Sequence, residues 1–148
     1  MRKIARDTMP VDNLARSDVV VAATDDSVKQ LATAMRKESV GSVVITDGDS
    51  PVGIVTDRDL ALKVIAEGES PSGLTAADVM STDLSTINRT SGFYEALEVM
   101  SDTGVRRLLV VDSDDKLAGI ITIDDLHELL ADEHQLLADV VQAQRPLY

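Results

Sequence analysis

The sequence predicts an α/β fold, α+β-like in character, made of two β-α-β-β-α repeats packed with pseudo-twofold symmetry. Three observations predict it. Segments of similar pattern recur 65 positions apart. Each copy alternates β-branched runs with stretches whose apolar residues have helical spacing. Each copy also contains a glycine-led apolar strand that runs into a Thr-x-x-Asp turn, at residues 53–59 and 119–125.

Direct alignment reveals the repeat. Residues 28–35 align with 93–100 and residues 40–47 with 105–112 at an offset of 65, which becomes 66 after Asp112. The extra residue falls in a turn, where loop length is tolerated. Neither copy is long enough to be stable alone, so we expect the two to pack together. The predicted organisation is a lead-in (1–10), a first repeat (11–68), a linker (69–74), a second repeat (75–132) and a C-terminal helical extension with a tail (133–148).

The elements of the first repeat follow from local patterns. Ser27 and Gln30 have the spacing of a capping box, in which two side chains satisfy the free N–H groups of a helix start. The cluster at 47–51 is rich in turn residues and separates two apolar runs, which predicts a hairpin. The predicted elements are a strand at 18–22, a helix from 27, strands at 42–46 and 52–55, and a helix from 57 to about 66.

The two ends of the chain give weaker patterns. Residues 2–6 predict a short lead-in helix before Pro10, and residues 145–148 predict a frayed tail. The last helix has an apolar stripe that is interrupted near Glu133. We expect this stripe to pack back on its own domain, with a dimer contact as the alternative. Its members are Leu126, Leu129, Leu130, Leu136, Leu137, Val140 and Val141.

Composition limits the possible functions. The 148 residues are 44% apolar, with one Phe, two Tyr and no Trp, so aliphatic walls and backbone, not aromatic stacking, would have to hold a ligand. The absence of cysteine excludes disulfides, thiolate zinc sites and cysteine nucleophiles. A net charge of -12 opposes nucleic-acid binding. No apolar run has membrane-spanning length and no signal peptide is evident, so we expect a cytoplasmic protein.

The Thr-x-x-Asp turns are the candidate site. A strand that leads into a helix start presents free N–H groups and the positive end of the helix dipole. An aspartate there can accept hydrogen bonds from a vicinal diol such as ribose, and glycines 53 and 119 leave room for a close ligand. The alternative is that both side chains only cap the helix. Thr75 to Asp78 has the same spacing without a glycine-led strand, and it serves as an internal control.

The chain resembles a tandem pair of cystathionine β-synthase-type (CBS) regulatory domains over about residues 11–132. The resemblance rests on the duplicated order, the two Gly-h-h-Thr-x-x-Asp stretches, the run at 105–112 and the segment at 78–83. It implies a non-catalytic module that binds AMP, ADP, ATP, S-adenosylmethionine or sometimes NAD. It also implies a homodimer formed through helices. With no catalytic domain in this sequence, the regulated protein would be another chain.

The resemblance also implies residue roles. Asp59 and Asp125 would hold ribose hydroxyls, and Thr56 and Thr122 would lie at the ribose and phosphate. The backbone near four further residues would line the adenine: Val20, Ser85, Val43 and Leu108.

The two copies differ in their basic residues. The first turn contains Arg58, whereas the second contains Ile123 and Asp124. The pseudo-twofold axis could bring Arg106 or Arg107 to the cleft as phosphate ligands; the alternative is that these arginines pair with surface aspartates. We therefore expect the first turn to bind a phosphate-bearing ligand better, and the second to bind it weakly or stay empty.

Other interpretations are weaker. His127 and His134 lie seven residues apart, and Ala131 stands where a metalloprotease helix would need its second histidine, so no metal site is predicted. No spacing suggests a catalytic triad, so we expect no enzymatic activity. The remaining alternative to a ligand sensor is a dimerisation or interaction module whose turns are only caps.

Overall fold

The computed structural model describes residues 9–143, and its strands form two three-stranded sheets of identical topology. In each sheet the first strand runs parallel to the second, which forms an antiparallel hairpin with the third. This arrangement confirms the predicted duplication. The strands are β1 (Val21–Ala23), β2 (Ser42–Asp47), β3 (Ser50–Thr56), β4 (Thr86–Asn88), β5 (Arg107–Val111) and β6 (Leu117–Thr122).

Helices follow the strands in the predicted order. A 3-10 turn at Val11–Asn13 comes first, and a π-helical segment at Ala61–Ile65 continues the second α-helix. The predicted lead-in helix at 2–6 and the frayed tail at 145–148 lie outside the described residues. The α-helices are α1 (Val28–Glu38), α2 (Asp57–Leu60), α3 (Ala76–Val79), α4 (Phe93–Thr103) and α5 (Ile123–Ala143).

Helix α1 begins where the capping pattern predicts. The Gln30 N–H donates to Ser27 Oγ at 3.2 Å, and the Ser27 N–H donates to Gln30 Oε1 at 2.7 Å. Its buried face consists of Val28, Leu31 and Met35, at the helical spacing seen in the sequence. The first strand is shorter than predicted: β1 comprises residues 21–23. Ahead of it, the Val20 carbonyl oxygen accepts one hydrogen bond from the Val44 N–H of β2.

Each repeat packs its first residues against the other repeat. We call residues 11–16 and 76–81 the leading segments. One core contains the first sheet and α1, together with Ala76 and Val79 of α3, at the start of the second repeat. The other contains the second sheet and α4, together with Val11 at the start of the first repeat. Each repeat therefore completes the core of its partner, and we expect neither to fold alone.

Glycines 53 and 119 allow the leading segments to approach β3 and β6 closely. The backbone of Ser81 is hydrogen-bonded in both directions to Ile54, and the backbone of Arg16 in both directions to Ile120. A Cβ built on Gly53 would collide with Met80, and one on Gly119 would lie 2.8 Å from the Arg16 carbonyl oxygen. The sequence-based explanation, that these glycines admit a ligand, is wrong: they admit the leading segments.

Helix α5 packs on the protein only along its first half. Leu126 is buried, and Leu129 and Leu130 pack against the second core. Beyond Glu133 the prediction that the stripe packs on its own domain is wrong. The helix of 21 residues is about 31 Å long and extends past a six-residue strand of about 20 Å. This part of the helix leaves four apolar side chains between 52% and 66% exposed: Leu136, Leu137, Val140 and Val141.

Candidate functional site

A pocket of about 250 Å³ lies between the two repeats, and we call it the Thr56 pocket. It brings together four of the residues predicted from the sequence: Thr56, Ser85, Arg106 and Arg107. Thr56 comes from the first repeat and the other three from the second. The remaining lining residues, which sequence reasoning did not select, are Ile54, Asp83, Leu84, Val105 and Leu109.

The exchange of leading segments builds this pocket. Hydrogen bonds between Ile54 and Ser81 hold the segment before β4 against the end of β3. Residues 83–85 therefore lie next to Thr56, and the parallel pairing of β4 with β5 brings the start of β5 alongside them. The missed residues were detectable only by combining the end of one repeat with the beginning of the other.

The two arginines of the pocket have different surroundings. Arg106 Nη2 lies 3.6 Å from Asp124 Oδ1, with side chains 72% and 87% exposed. Such a solvated pair holds an arginine weakly. Arg107 is half-buried and has no ion pair within residues 9–143, and its guanidinium reaches the first repeat, where a Cβ on Gly41 would lie 3.9 Å from Nη2. Arg107 thus makes no ion pair within the described residues, and the Asp57 carboxylate oxygen lies near the same point, 3.3 Å from that Cβ position.

The turn after β3 is a complete cap. The Asp59 N–H donates to Thr56 Oγ1 at 3.1 Å, and the Thr56 N–H donates to Asp59 Oδ2 at 2.9 Å. Asp59 Oδ1 faces Lys63 Nζ at 3.3 Å, and the same ammonium donates to the Val79 carbonyl oxygen at 2.8 Å. A carboxylate has about four acceptor positions, so Asp59 keeps capacity for a further donor.

The turn after β6 is more fully occupied. Asp125 Oδ2 accepts from the Thr122 N–H at 3.1 Å and from Thr122 Oγ1 at 2.8 Å. Asp125 Oδ1 accepts from Arg16 Nε at 3.1 Å and from Arg16 Nη2 at 2.8 Å. Burial acts to raise the pKa of Asp125, but the hydrogen bonds from Arg16 and Thr122 outweigh it, so that the pKa is lowered. Sequence reasoning missed Arg16, because nothing local marks it.

Because the pKa of Asp125 is lowered, the free energy of unfolding depends on pH in the acidic range. The folded protein binds a proton at Asp125 less readily than the unfolded chain does. The ionised carboxylate therefore stabilises the fold at pH values above its pKa in the unfolded chain, about 3.9, and this stabilisation is lost as pH falls through its pKa in the folded protein. We expect the free energy of unfolding to fall less steeply below about pH 4 in Asp125→Asn than in the wild type. Denaturant melts between pH 2.5 and 6 measure this, and parallel curves would contradict it.

Some predicted residues lie elsewhere. Val43 and Leu108 are 0% exposed inside the two cores, and Leu109 lines the pocket beside Leu108. Val20 accepts a backbone hydrogen bond from Val44 and lines no described pocket. Arg58 is exposed, and neither Arg58 nor Asp59 is among the residues lining the Thr56 pocket. Their ligand roles stay predictions.

A larger cavity of about 370 Å³ lies near the two hairpin turns and contains none of the predicted residues. His127 and His134 are exposed, and no group of three or more candidate metal ligands occurs within residues 9–143. None of the helices in that range is both long and apolar enough to span a membrane.

A family model described as CBS domain matches the chain twice, over residues 11–66 and 76–132. The chain belongs to the CBS domain family. The match confirms the resemblance inferred from the sequence and places each Thr-x-x-Asp turn within one CBS domain. The Thr56 pocket is accordingly a cleft between the two CBS domains of the pair.

Relatives of this CBS pair include an uncharacterized protein and one named for its CBS domain. An uncharacterized protein of Methanopyrus kandleri, MK0525, is 38% identical over 120 residues, which cover 80% of this chain and 61% of that protein. The CBS domain-containing protein YhcV of Bacillus subtilis is 30% identical over 117 residues, covering 78% of this chain and 81% of that one.

Solved structures include the CBS domain protein PAE2072 from Pyrobaculum aerophilum complexed with AMP. It superposes with a TM-score of 0.71 at 25% sequence identity and covers 79% of this chain and 89% of that one. The comparison confirms the fold predicted for the CBS pair. CBS domains are in general regulatory, ligand-binding modules rather than catalytic ones.

Proposed function

We propose that the chain is a non-catalytic regulatory module that binds an adenosine-containing ligand in the Thr56 pocket and transmits its level to a partner protein. AMP, ADP, ATP and S-adenosylmethionine are the candidate ligands. Transmission requires that the ligand bind two arrangements of the repeats, or of two chains, with different affinity. The regulated chain, a homodimer and a cytoplasmic location are parts of the same proposal.

The observation that supports this proposal most is the composition of the Thr56 pocket. It combines a threonine from one repeat with two arginines from the other. Guanidinium groups favour phosphate, whereas the N–H groups from Thr56 to Asp59 already donate within the protein. Its volume of about 250 Å³ is near the lower end of small-molecule sites, about 300–1,000 Å³. The AMP complex of the Pyrobaculum relative supports an adenine nucleotide as the occupant.

A second candidate is a ligand-free interaction module. Asp59, Asp78 and Asp125 each accept a hydrogen bond from the backbone N–H of the threonine three residues earlier, so all three turns are closed without a ligand. The exposed apolar stripe on α5 also favours contact with another protein. The two candidates differ in whether any adenosyl compound binds.

Thermal melts with AMP, ADP, ATP, S-adenosylmethionine and NAD test the proposal. A ligand present at one hundred times its dissociation constant adds about 2.7 kcal/mol to the free energy of unfolding. We expect a concentration-dependent rise in melting temperature with at least one of the five. No rise with any of them would leave the interaction module as the function.

Arg107→Ala is expected to weaken binding of AMP about tenfold or more, because a phosphate loses a charge-assisted hydrogen bond. Binding of S-adenosylmethionine, which has no phosphate, should change little. Calorimetric titration measures both affinities. Arg36→Ala, which removes an exposed arginine from α1, is the matched control for the change in net charge. Equal losses for both ligands would mean that Arg107 shapes the pocket and does not bind phosphate.

A further inference from the structure

Within residues 9–143, each of the two candidate ribose carboxylates pairs with one cation, but the two cations come from different parts of the chain. Lys63, on the same helical stretch as Asp59, faces that carboxylate. Arg16, near the start of the first repeat, pairs with Asp125 of the second. By the repeat alignment, the position equivalent to Lys63 is Leu129 and the position equivalent to Arg16 is Ser81. The carboxylate of the first repeat is therefore paired with a cation from its own repeat, whereas the carboxylate of the second is paired with a cation from the other repeat.

The two carboxylates differ in how much acceptor capacity remains. Asp125 receives two hydrogen bonds from Arg16 and two from Thr122, which matches the roughly four acceptor positions of a carboxylate. Its side chain is only 12% exposed. Asp59 receives one hydrogen bond from the Thr56 N–H and a longer 3.3 Å contact from Lys63. A ribose diol can therefore add to Asp59, whereas at Asp125 it must displace Arg16.

Arg16 is delivered to Asp125 by a fixed backbone. Its N–H and carbonyl are both hydrogen-bonded to Ile120, at 2.9 and 3.0 Å, one strand position from Gly119. The Arg16 side chain is 65% exposed and that of Asp125 is 12% exposed, so the guanidinium lies between the carboxylate and solvent.

The Asp125 side also lacks the means to attract a phosphate. Where the second repeat has Arg106 and Arg107, the first has Gly41 and Ser42. No cavity described within residues 9–143 is lined by Thr122, whereas Thr56 lines the Thr56 pocket; neither Asp59 nor Asp125 is among the lining residues of a described cavity. The asymmetry predicted from the sequence thus has a second cause, which is the guanidinium of Arg16.

We propose that Arg16 is an internal competitor for the ribose position at Asp125 and limits each chain to one adenosine ligand, held on the Thr56 side. This inference rests on the proposed function of that pocket. Arg16 then determines stoichiometry: it blocks one of two symmetry-related sites without contacting the ligand in the other.

The test is a calorimetric titration of the full chain with AMP. The wild type is expected to bind one AMP per chain. Arg16→Ser, which installs the residue found at the equivalent position 81, is expected to bind two. Adding Asp125→Asn to Arg16→Ser should remove the second event and leave the first unchanged. Thermal melts without AMP verify that each variant is folded.

The reciprocal exchange keeps the proposal testable if Arg16→Ser unfolds. The double variant Ser81→Arg with Lys63→Leu gives Asp59 an arginine at the position equivalent to Arg16 and removes its lysine. It should lower AMP affinity at least tenfold. Lys63→Leu alone is the matched control and should keep most of the affinity. If this exchange leaves affinity unchanged, the proposal is overturned.

The remaining outcomes separate this inference from the proposed function. Two AMP molecules on the wild type falling to one on Arg16→Ser would make Arg16 a phosphate ligand, which overturns the competitor role and leaves the sensor intact. One AMP on both proteins also overturns it. No AMP on either overturns both proposals, whereas no AMP on the wild type and one on Arg16→Ser supports the block at Asp125 and removes the Thr56 site.

Discussion

Asp59→Ala is expected to reduce AMP affinity about 100-fold, which corresponds to about 2.7 kcal/mol. The carboxylate would accept two hydrogen bonds from the ribose diol, and hydrogen bonds to charged groups contribute about 1.5–3 kcal/mol each. The same carboxylate caps α2 through the Thr56 N–H, so we also expect a stability loss of about 0.5–2 kcal/mol. Titration calorimetry and denaturant melts measure the two effects separately.

The chain contains a matched control for this variant. Asp78 accepts from the Thr75 N–H at 2.8 Å, as Asp59 does from Thr56, but Thr75 does not line the pocket that Thr56 lines. Asp78→Ala should therefore cost a similar stability and leave AMP affinity unchanged. If Asp59→Ala loses stability while its affinity for AMP remains that of the wild type, Asp59 is a cap and the ribose role is wrong.

The sequence predicted the parts of the fold whose information is local or periodic. Ser27 and Gln30 identify a helix start within four residues, and the 65-residue offset identifies the second copy of each element. The pairing of Thr56 with Arg106 and Arg107 also followed, because a pseudo-twofold axis relates equivalent turns across one cleft. These inferences needed the order of elements but not their exact packing.

Other features depend on contacts between distant segments that no sequence pattern encodes. The exchange of Val11 and Ala76 between cores was not predicted, because an apolar residue in a sequence does not indicate which of the two cores it will enter. Arg16 lies 109 positions from Asp125, and only the fold reveals their ion pair. The exposed end of α5 was mispredicted because an apolar stripe does not specify what covers it.

The exchange of leading segments also links folding to the candidate site. Lys63 bonds both Asp59 and the Val79 carbonyl, so one ammonium joins the first repeat's turn to the segment that leads into the second. Arg16 makes the equivalent connection at Asp125, through its side chain and its backbone. A ligand that alters either carboxylate therefore acts on the contact between repeats, which is where a change in their arrangement would begin.

Gly119→Ala tests this contact and is expected to lower the free energy of unfolding by about 1–3 kcal/mol. The new methyl would lie 2.8 Å from the Arg16 carbonyl oxygen and 3.0 Å from Ala15 Cβ, and neither atom belongs to a flexible side chain. The leading segment would have to move off β6, which also draws Arg16 away from Asp125. Gly73→Ala, whose methyl would meet nothing closer than 3.6 Å, is the control and should stay within about 0.5 kcal/mol of the wild type.

Gly53→Ala provides the comparison that identifies the cause. Its methyl would collide with the side chain of Met80 and lie 2.8 Å from Met80 Cγ, rather than against the main chain. Adding Met80→Ala removes the two closest atoms, Sδ and Cγ, and leaves only Cβ at 3.0 Å. The double variant should therefore be more stable than the sum of the two single losses predicts. No side-chain deletion can relieve Gly119→Ala in the same way, because the opposing atom is a backbone oxygen. Additive losses for residues 53 and 80 in denaturant melts would refute close packing of the leading segments as the reason for these glycines.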